Sequence, residues 1–153
     1  MAVYAFNPLT AADLALVGQW LGHPHVMQWW PDGKRQVRQI ARSIGSAEMV
    51  PYMVSLAGAP LAYLQCERLA PGRRGIDQLI GAADMIGRGH GSSFIRQFCD
   101  ELFFGGEVAT VTTDPDPANA RAICAYEKAG FRPVEPQSTP WGNVLLMQRD
   151  KTP

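Results

Sequence analysis

Gly87-Arg88-Gly89-His90-Gly91-Ser92-Ser93-Phe94-Ile95-Arg96-Gln97-Phe98-Cys99-Asp100-Glu101-Leu102-Phe103-Phe104 joins a glycine-rich segment to a long apolar one. Glycines at three alternate positions mark a turn, because neither helix nor strand tolerates that much backbone freedom. The residues after the turn have a helical pattern. Phe94, Ile95, Phe98, Cys99, Leu102 and Phe103 recur on one face, so a helix is expected from Ser92 to Phe104. A glycine turn entering a helix lets the backbone approach a ligand closely, with N–H groups pointing outward. The helix N-terminus adds partial positive charge, and Arg88 can add a charge-assisted contact, which together suit a pyrophosphate. Taken alone, the turn also reads as a plain tight turn. It is not a P-loop, since no Gly-Lys-Ser/Thr comes after it, and its spacing is G-x-G-x-G instead of G-x-G-x-x-G.

Upstream of this stretch, Ile76 to Gly81 reads as a strand and Ala70 to Gly75 as a loop. Tyr52 to Ala57 and Leu61 to Arg68 read as a hairpin turning at Gly58-Ala59-Pro60. Lys34 to Ile44 reads as a helix stopped by Gly45, and His25 to Gly33 as a loop. Thr10 and Asp13 form a T-x-x-D capping signature ahead of a helix carrying Leu14, Val17, Trp20 and Leu21, which should stop near Gly22-His23-Pro24. Downstream, Glu107 to Thr113 is strand-like, and Asp114-Pro115-Asp116-Pro117 breaks the chain. A helix is expected from Ala118 to Ala129, then a last strand from Val144 to Gln148. The expected order is β-α-α-β-β-β-α-β-α-β, an α/β fold with a mixed sheet.

The 153 residues suit one domain spanning 1–153, and an apolar fraction of 46% can supply a core. Fourteen basic residues balance fourteen acidic ones, against the basic excess of a nucleic-acid or anionic-membrane binder. Cys66, Cys99 and Cys124 form no CxxC pair and no zinc pattern, so buried thiols and no metal are expected. The stretch from Met1 to Pro8 lacks the basic and apolar regions of a signal peptide, and no run approaches a membrane span. A cytoplasmic protein, monomeric or homodimeric, is expected.

A second motif makes the glycine turn specific. Asn119, Ala122, Tyr126, Gly130 and Phe131 form N-x-x-A-x-x-x-Y-x-x-x-G-F. A strand, an R-G-x-G helix, a further strand and this N…A…Y…GF helix together resemble the GNAT acyltransferase superfamily over nearly the whole chain. The resemblance implies the GNAT acyl-CoA N-acyltransferase fold: a twisted, mostly antiparallel central sheet, splayed at the cofactor site and flanked by helices. It also implies acetyl-CoA as co-substrate. The cofactor would meet Gln78, Leu79 and Ile80 on the strand, Arg88, Gly89, His90, Gly91, Ser92 and Ser93 on the turn, and Asn119 and Tyr126 on the later helix. The family often carries Gln or Arg where this chain has Ile86, so backbone contacts from Arg88 to Ser93 are expected to suffice.

Four further runs are similar to the aminoglycoside 6′-N-acetyltransferases. They are His25-Val26-Met27-Gln28-Trp29-Trp30, Arg74-Gly75-Ile76-Asp77-Gln78-Leu79-Ile80, Thr113-Asp114-Pro115-Asp116-Pro117-Ala118-Asn119 and Tyr126-Glu127-Lys128-Ala129-Gly130-Phe131. The resemblance assigns Asp77 to receive the acceptor-amine proton and Asp114 to hold a cationic substrate. It places Tyr126 near the sulfur of coenzyme A. Asp77 and Tyr126 are thus the catalytic candidates, and Trp29, Trp30, Asp77 and Asp114 the substrate-binding ones. Chemistry independent of the family agrees. An ammonium must lose a proton before it attacks a thioester, which a carboxylate can accept. A departing thiolate gains from a phenol donor, and the oxyanion from a backbone N–H around Leu79 or Ile80.

Plainer readings stand beside these. Asp77 could pair with Arg73 or Arg74, and Tyr126, Trp29 and Trp30 could be packing residues. Asp114 and Asp116 could bond the turn that holds them. His90 reads as a loop residue, and His23 and His25 read as structural. Leu69-Ala70-Pro71-Gly72-Arg73-Arg74 is short and basic where the resembled enzymes carry a longer loop with tryptophans and acids. Siderophore-pathway lysine N-acyltransferases share the H-P-x-V-x-x-W start and the G-I-x-x-L-I-G strand, but tend to carry His at position 77. An amino-acid or other small-amine acyltransferase is therefore the second reading, and a non-catalytic acyl-CoA-binding module the third.

Overall fold

The structure is a computed structural model describing residues 3–153. Met1 and Ala2, which begin the N-terminal stretch lacking signal-peptide features, lie outside the described residues. The elements run β1 (Tyr4–Pro8), α1 (Leu14–Leu21), α2 (Pro24–Met27), α3 (Gly33–Ser43), β2 (Met49–Leu56), β3 (Ala59–Ala70), β4 (Arg73–Ile80), α4 (His90–Phe104), β5 (Thr110–Thr113), α5 (Ala120–Lys128), β6 (Arg132–Thr139) and β7 (Gly142–Asp150). Hydrogen bonding orders the seven strands β1-β2-β3-β4-β5-β7-β6. β1 with β2, β2 with β3, β5 with β7 and β6 with β7 are antiparallel, and β4 with β5 is parallel. This is the mixed, mostly antiparallel sheet that the sequence implied.

The chain forms two compact units, Met1–Glu67 with Gln78–Arg88, and Arg68–Asp77 with Gly89–Pro153. In the first, the T-x-x-D signature is realised: the Asp13 carboxylate accepts from the Thr10 N–H at 2.9 Å and from its hydroxyl at 3.1 Å. α1 packs on α3, and α3 on β2. Val17, Trp20, Leu21, Val26, Trp30, Ile40, Met53, Tyr63 and Leu79 are buried in one cluster. Burying such side chains is worth roughly 1.5–3 kcal/mol each before conformational entropy is charged against it.

In the second unit, Phe94, Ile95, Phe98, Cys99 and Phe103 are the buried face of α4, as the helical spacing predicted. The Asn119 side chain accepts from Ala122 N at 3.2 Å and starts α5. Gly130, at φ +100°, ends it in a conformation that L side chains rarely adopt. Arg96 donates to the carbonyl of Lys128 in the last turn of α5. Arg149 on β7 pairs with Asp100 and lies 5.2 Å from the centre of the Phe103 ring. No disulfide joins cysteines among the described residues; Cys66 and Cys99 are buried and Cys124 is exposed.

Several expectations are corrected. The span His25 to Gly33 is not all loop, because Pro24 sits in the first turn of a short helix, α2, as its fixed φ favours. The expected loop Ala70 to Gly75 shrinks to Pro71-Gly72: Gly72 turns at φ +75°, and β4 already starts at Arg73. Thr110, not Glu107, begins β5, and the glycine turn passes into helix at His90, two residues early. The strand β6 is absent from the expected order. Its two prolines argue against a strand, yet they are tolerated at an edge, where a register shift between Pro133 and Glu135 absorbs Val134.

Candidate active site

β4 carries the centre of the expected site. Its pairing with β5 runs from Arg73↔Thr110 to Gly75↔Thr112. The Thr113 hydroxyl then donates to the Ile76 carbonyl at 3.0 Å. β5 ends at Thr113, and the chain departs through Asp114-Pro115, whose carbonyl accepts from Leu145 N at 2.9 Å. β4 continues through Asp77, Gln78, Leu79 and Ile80 beyond that end. Asp77 is half-buried, and Leu79 is buried in the first unit's core.

The anion-binding features lie where α4 begins. Gly87 and Gly89 adopt φ of +78° and +81°, and a Cβ at either would meet nothing within 4 Å. Glycine is needed here for its backbone conformation, and the space above both is open. Gly89 caps the helix, and the first helical bond runs from Ser93 N to Gly89 O at 3.2 Å. That register puts the N–H groups of Gly91 and Ser92 in the first turn, ahead of the residues whose N–H groups have a helical acceptor. The Ser92 hydroxyl donates back to the Gly89 carbonyl at 3.1 Å, and the Arg88 and Ser93 side chains are exposed. Open space, outward amides and a fifteen-residue helix dipole fit a diphosphate.

On α5, Tyr126 is 1% exposed and meets the Phe131 ring edge-on at 5.5 Å. Asn119 already spends its carbonyl oxygen on the cap, which leaves its amide as donor. Asp114 has an exposed side chain, yet partial burial raises its carboxyl above the usual carboxylate range, against an opposing hydrogen bond from backbone. Asp116 serves the turn: its carboxylate accepts from Ala118 N at 2.8 Å, and its carbonyl from Asn119 N at 2.9 Å. The plainer reading of Asp116 is the one its geometry supports.

The two tryptophans divide. Trp30 is a core residue, 8% exposed and edge-on to Tyr63 at 6.1 Å, so its face is not open for stacking. Trp29 is half-buried at the border of the same core. Sequence reasoning missed what seats the end of β4. Gly81 lies so close to Trp20 that a Cβ would come within 1.8 Å of its ring. His25 Nε2 lies 2.9 Å from the Ile80 carbonyl and His23 Nδ1 lies 3.3 Å from the Gly81 carbonyl. Only the closeness of His23 and His25 to a helix stop is visible in the sequence. No His/Cys/Asp/Glu cluster able to hold a metal occurs among the described residues. No helix among them is long and apolar enough to cross a membrane.

Residues 10–138 match the family described as Acetyltransferase (GNAT) domain. An aminoglycoside N(6′)-acetyltransferase type 1 from Klebsiella pneumoniae is 34% identical over 91% of this chain and 79% of its own length. A solved aminoglycoside acetyltransferase bound to coenzyme A and kanamycin is 33% identical, with a TM-score of 0.88 over 97% of this chain and 95% of that one. Another, bound to paromomycin and acetyl-CoA, is 33% identical with a TM-score of 0.87, covering 97% of this chain and 93% of that one. The chain belongs to the GNAT acetyltransferase family and is an N-acetyltransferase near the aminoglycoside 6′-N-acetyltransferases.

Proposed function

We propose that this single functional domain transfers the acetyl group of acetyl-CoA to a primary amine of an aminoglycoside-like small molecule in the cytoplasm. The observation that carries the reading is β4: it continues past the end of β5 with a carboxylate, Asp77, on the overhanging part. The open glycine entry to α4 supports diphosphate binding by backbone N–H groups from Arg88 to Ser93. The resemblance to enzymes solved with coenzyme A supports the same cofactor here.

In this reading Asp77 takes a proton from the acceptor ammonium, directly or through one water. The amine lone pair then attacks the thioester carbonyl carbon, and a backbone N–H of Gln78, Leu79 or Ile80 stabilises the oxyanion. When the C–S bond breaks, the nitrogen gives up its second proton to water, and the thiolate takes a proton from Tyr126, which solvent reprotonates, or from solvent directly. Asn119 donates its amide to the cofactor, Asp114 attracts the charged acceptor, and Trp29 offers an apolar edge to it. Trp30 supports that segment from the core.

A second reading, a smaller amine or amino-acid acceptor, is favoured by one feature. The β3–β4 connection is only Pro71-Gly72, flanked by Arg68, Arg73 and Arg74, which suits a polycation poorly. An acetyl-CoA consumption assay across an aminoglycoside panel, lysine and polyamines tests both. Turnover of aminoglycosides upholds the first reading. Turnover confined to lysine-like amines transfers it to the second, and acetyl-CoA binding with no amine acetylated leaves a non-catalytic binding module.

A further inference from the structure

We propose that His25, assisted by His23, is a positioning residue that stands in for the missing end of β5 and keeps the acyl-facing edge of β4 in place. The proposal rests on the acetyltransferase reading and goes beyond it, because both histidines otherwise read as structural.

In a strand, the N–H and C=O of one residue point to the same edge, and successive residues alternate. Past the end of β4 the alternation no longer holds, since Gly81 N and Ala82 N both donate to Leu61 O of β3, at 3.0 and 3.4 Å. Within β4, the Ile76 carbonyl accepts from the Thr113 hydroxyl on the β5 side, so even-numbered residues of the strand address that edge. Ile80 therefore points its carbonyl to the edge that β5 has left, and His25 Nε2 meets it at 2.9 Å. The same alternation assigns the oxyanion donor to the N–H of Ile80, and turns Leu79 toward β3.

Both imidazoles must donate, since a carbonyl oxygen offers only lone pairs. His25 then carries its proton on Nε2 and His23 on Nδ1. Pro24 lies between them and starts α2, so a short, φ-restricted segment delivers both rings, with centroids 5.6 Å apart. A displacement of the Ile80 peptide by about 1 Å would carry the neighbouring N–H away from an oxyanion, a misplacement worth on the order of 10²-fold in rate.

The test uses the whole protein. His25→Ala should lower kcat about tenfold with little change in affinity for coenzyme A, which the α4 entry holds. His25→Gln, whose amide nitrogen reaches the place of Nε2, should restore most of the rate, and His23→Asn should do the same for Nδ1. Wild-type kcat in His25→Ala, or His25→Gln no better than Ala in a folded protein, overturns the proposal. A second measurement needs no variant: long-range 15N spectra of the wild type should show the Nε2–H tautomer for His25 and Nδ1–H for His23. A His25 ring protonated on Nδ1 alone overturns it. If no amine is acetylated, the functional reading falls separately. The ratio of acetyl-CoA to coenzyme A affinity then reads the acyl edge, and a ratio unmoved by His25→Ala overturns the positioning role.

Discussion

Asp77 and Asp114 are two carboxylates with different expected tasks, and their surroundings make the difference testable. Asp77→Asn keeps the shape and removes the proton acceptor, so turnover at neutral pH should fall by about 10²-fold or more while acetyl-CoA affinity holds. A rate unchanged in steady-state kinetics would remove Asp77 from the chemistry. Tyr126→Phe should cost less than about tenfold, because solvent can protonate a thiolate and the ring still packs on Phe131. For Asp114, burial raises the folded-state carboxyl above its unfolded value. A carboxyl raised in this way favours folding only in acid, below its folded value, and opposes it above. Asp114→Asn should therefore raise Tm slightly at pH 7 and weaken acceptor binding, with the gain vanishing in acid. Equal or lower Tm at pH 7 in thermal denaturation would contradict that sign.

At the scale of elements, the backbone just past β4 is tightly held. Gly81 has no room for a methyl group against Trp20, and its N–H and that of Ala82 share the Leu61 carbonyl. Gly81→Ala should destabilise the protein by roughly 1–3 kcal/mol or more, the cost of overpacking a closed contact, measured by urea unfolding. A near-neutral result would mean that the Trp20 ring yields. In α5, Asn119→Ala should cost about 1 kcal/mol of stability through the lost cap. It should also raise the KM for acetyl-CoA if the Asn119 amide meets the cofactor, and a stability loss with unchanged KM would leave it a cap alone.

Across the whole molecule, the balanced charge and a sequence pI of about 6.8 predict a solubility minimum near neutrality, readable by light scattering across pH. The legibility of the fold and site in the sequence depends on the range of the interactions. Long periodic elements such as α1, α3 and α4 were legible because an apolar face repeats every turn regardless of what it packs on. The glycine entry to α4 and the Asn119 cap were legible because backbone conformation and capping are local. The strand β6 was not, since its prolines are acceptable only at a sheet edge. Trp30 and Trp29 are adjacent and alike in sequence, and only packing made one a core residue. The sequence by its local patterns determined the long helices, the turn chemistry and the two motifs that carry the family, each set by residues within a few positions of one another. Three-dimensional packing decided where β5 stops and which imidazoles meet the carbonyls of Ile80 and Gly81 beyond that point. Those partners are separated by tens of residues, and their meeting depends on the closed chain.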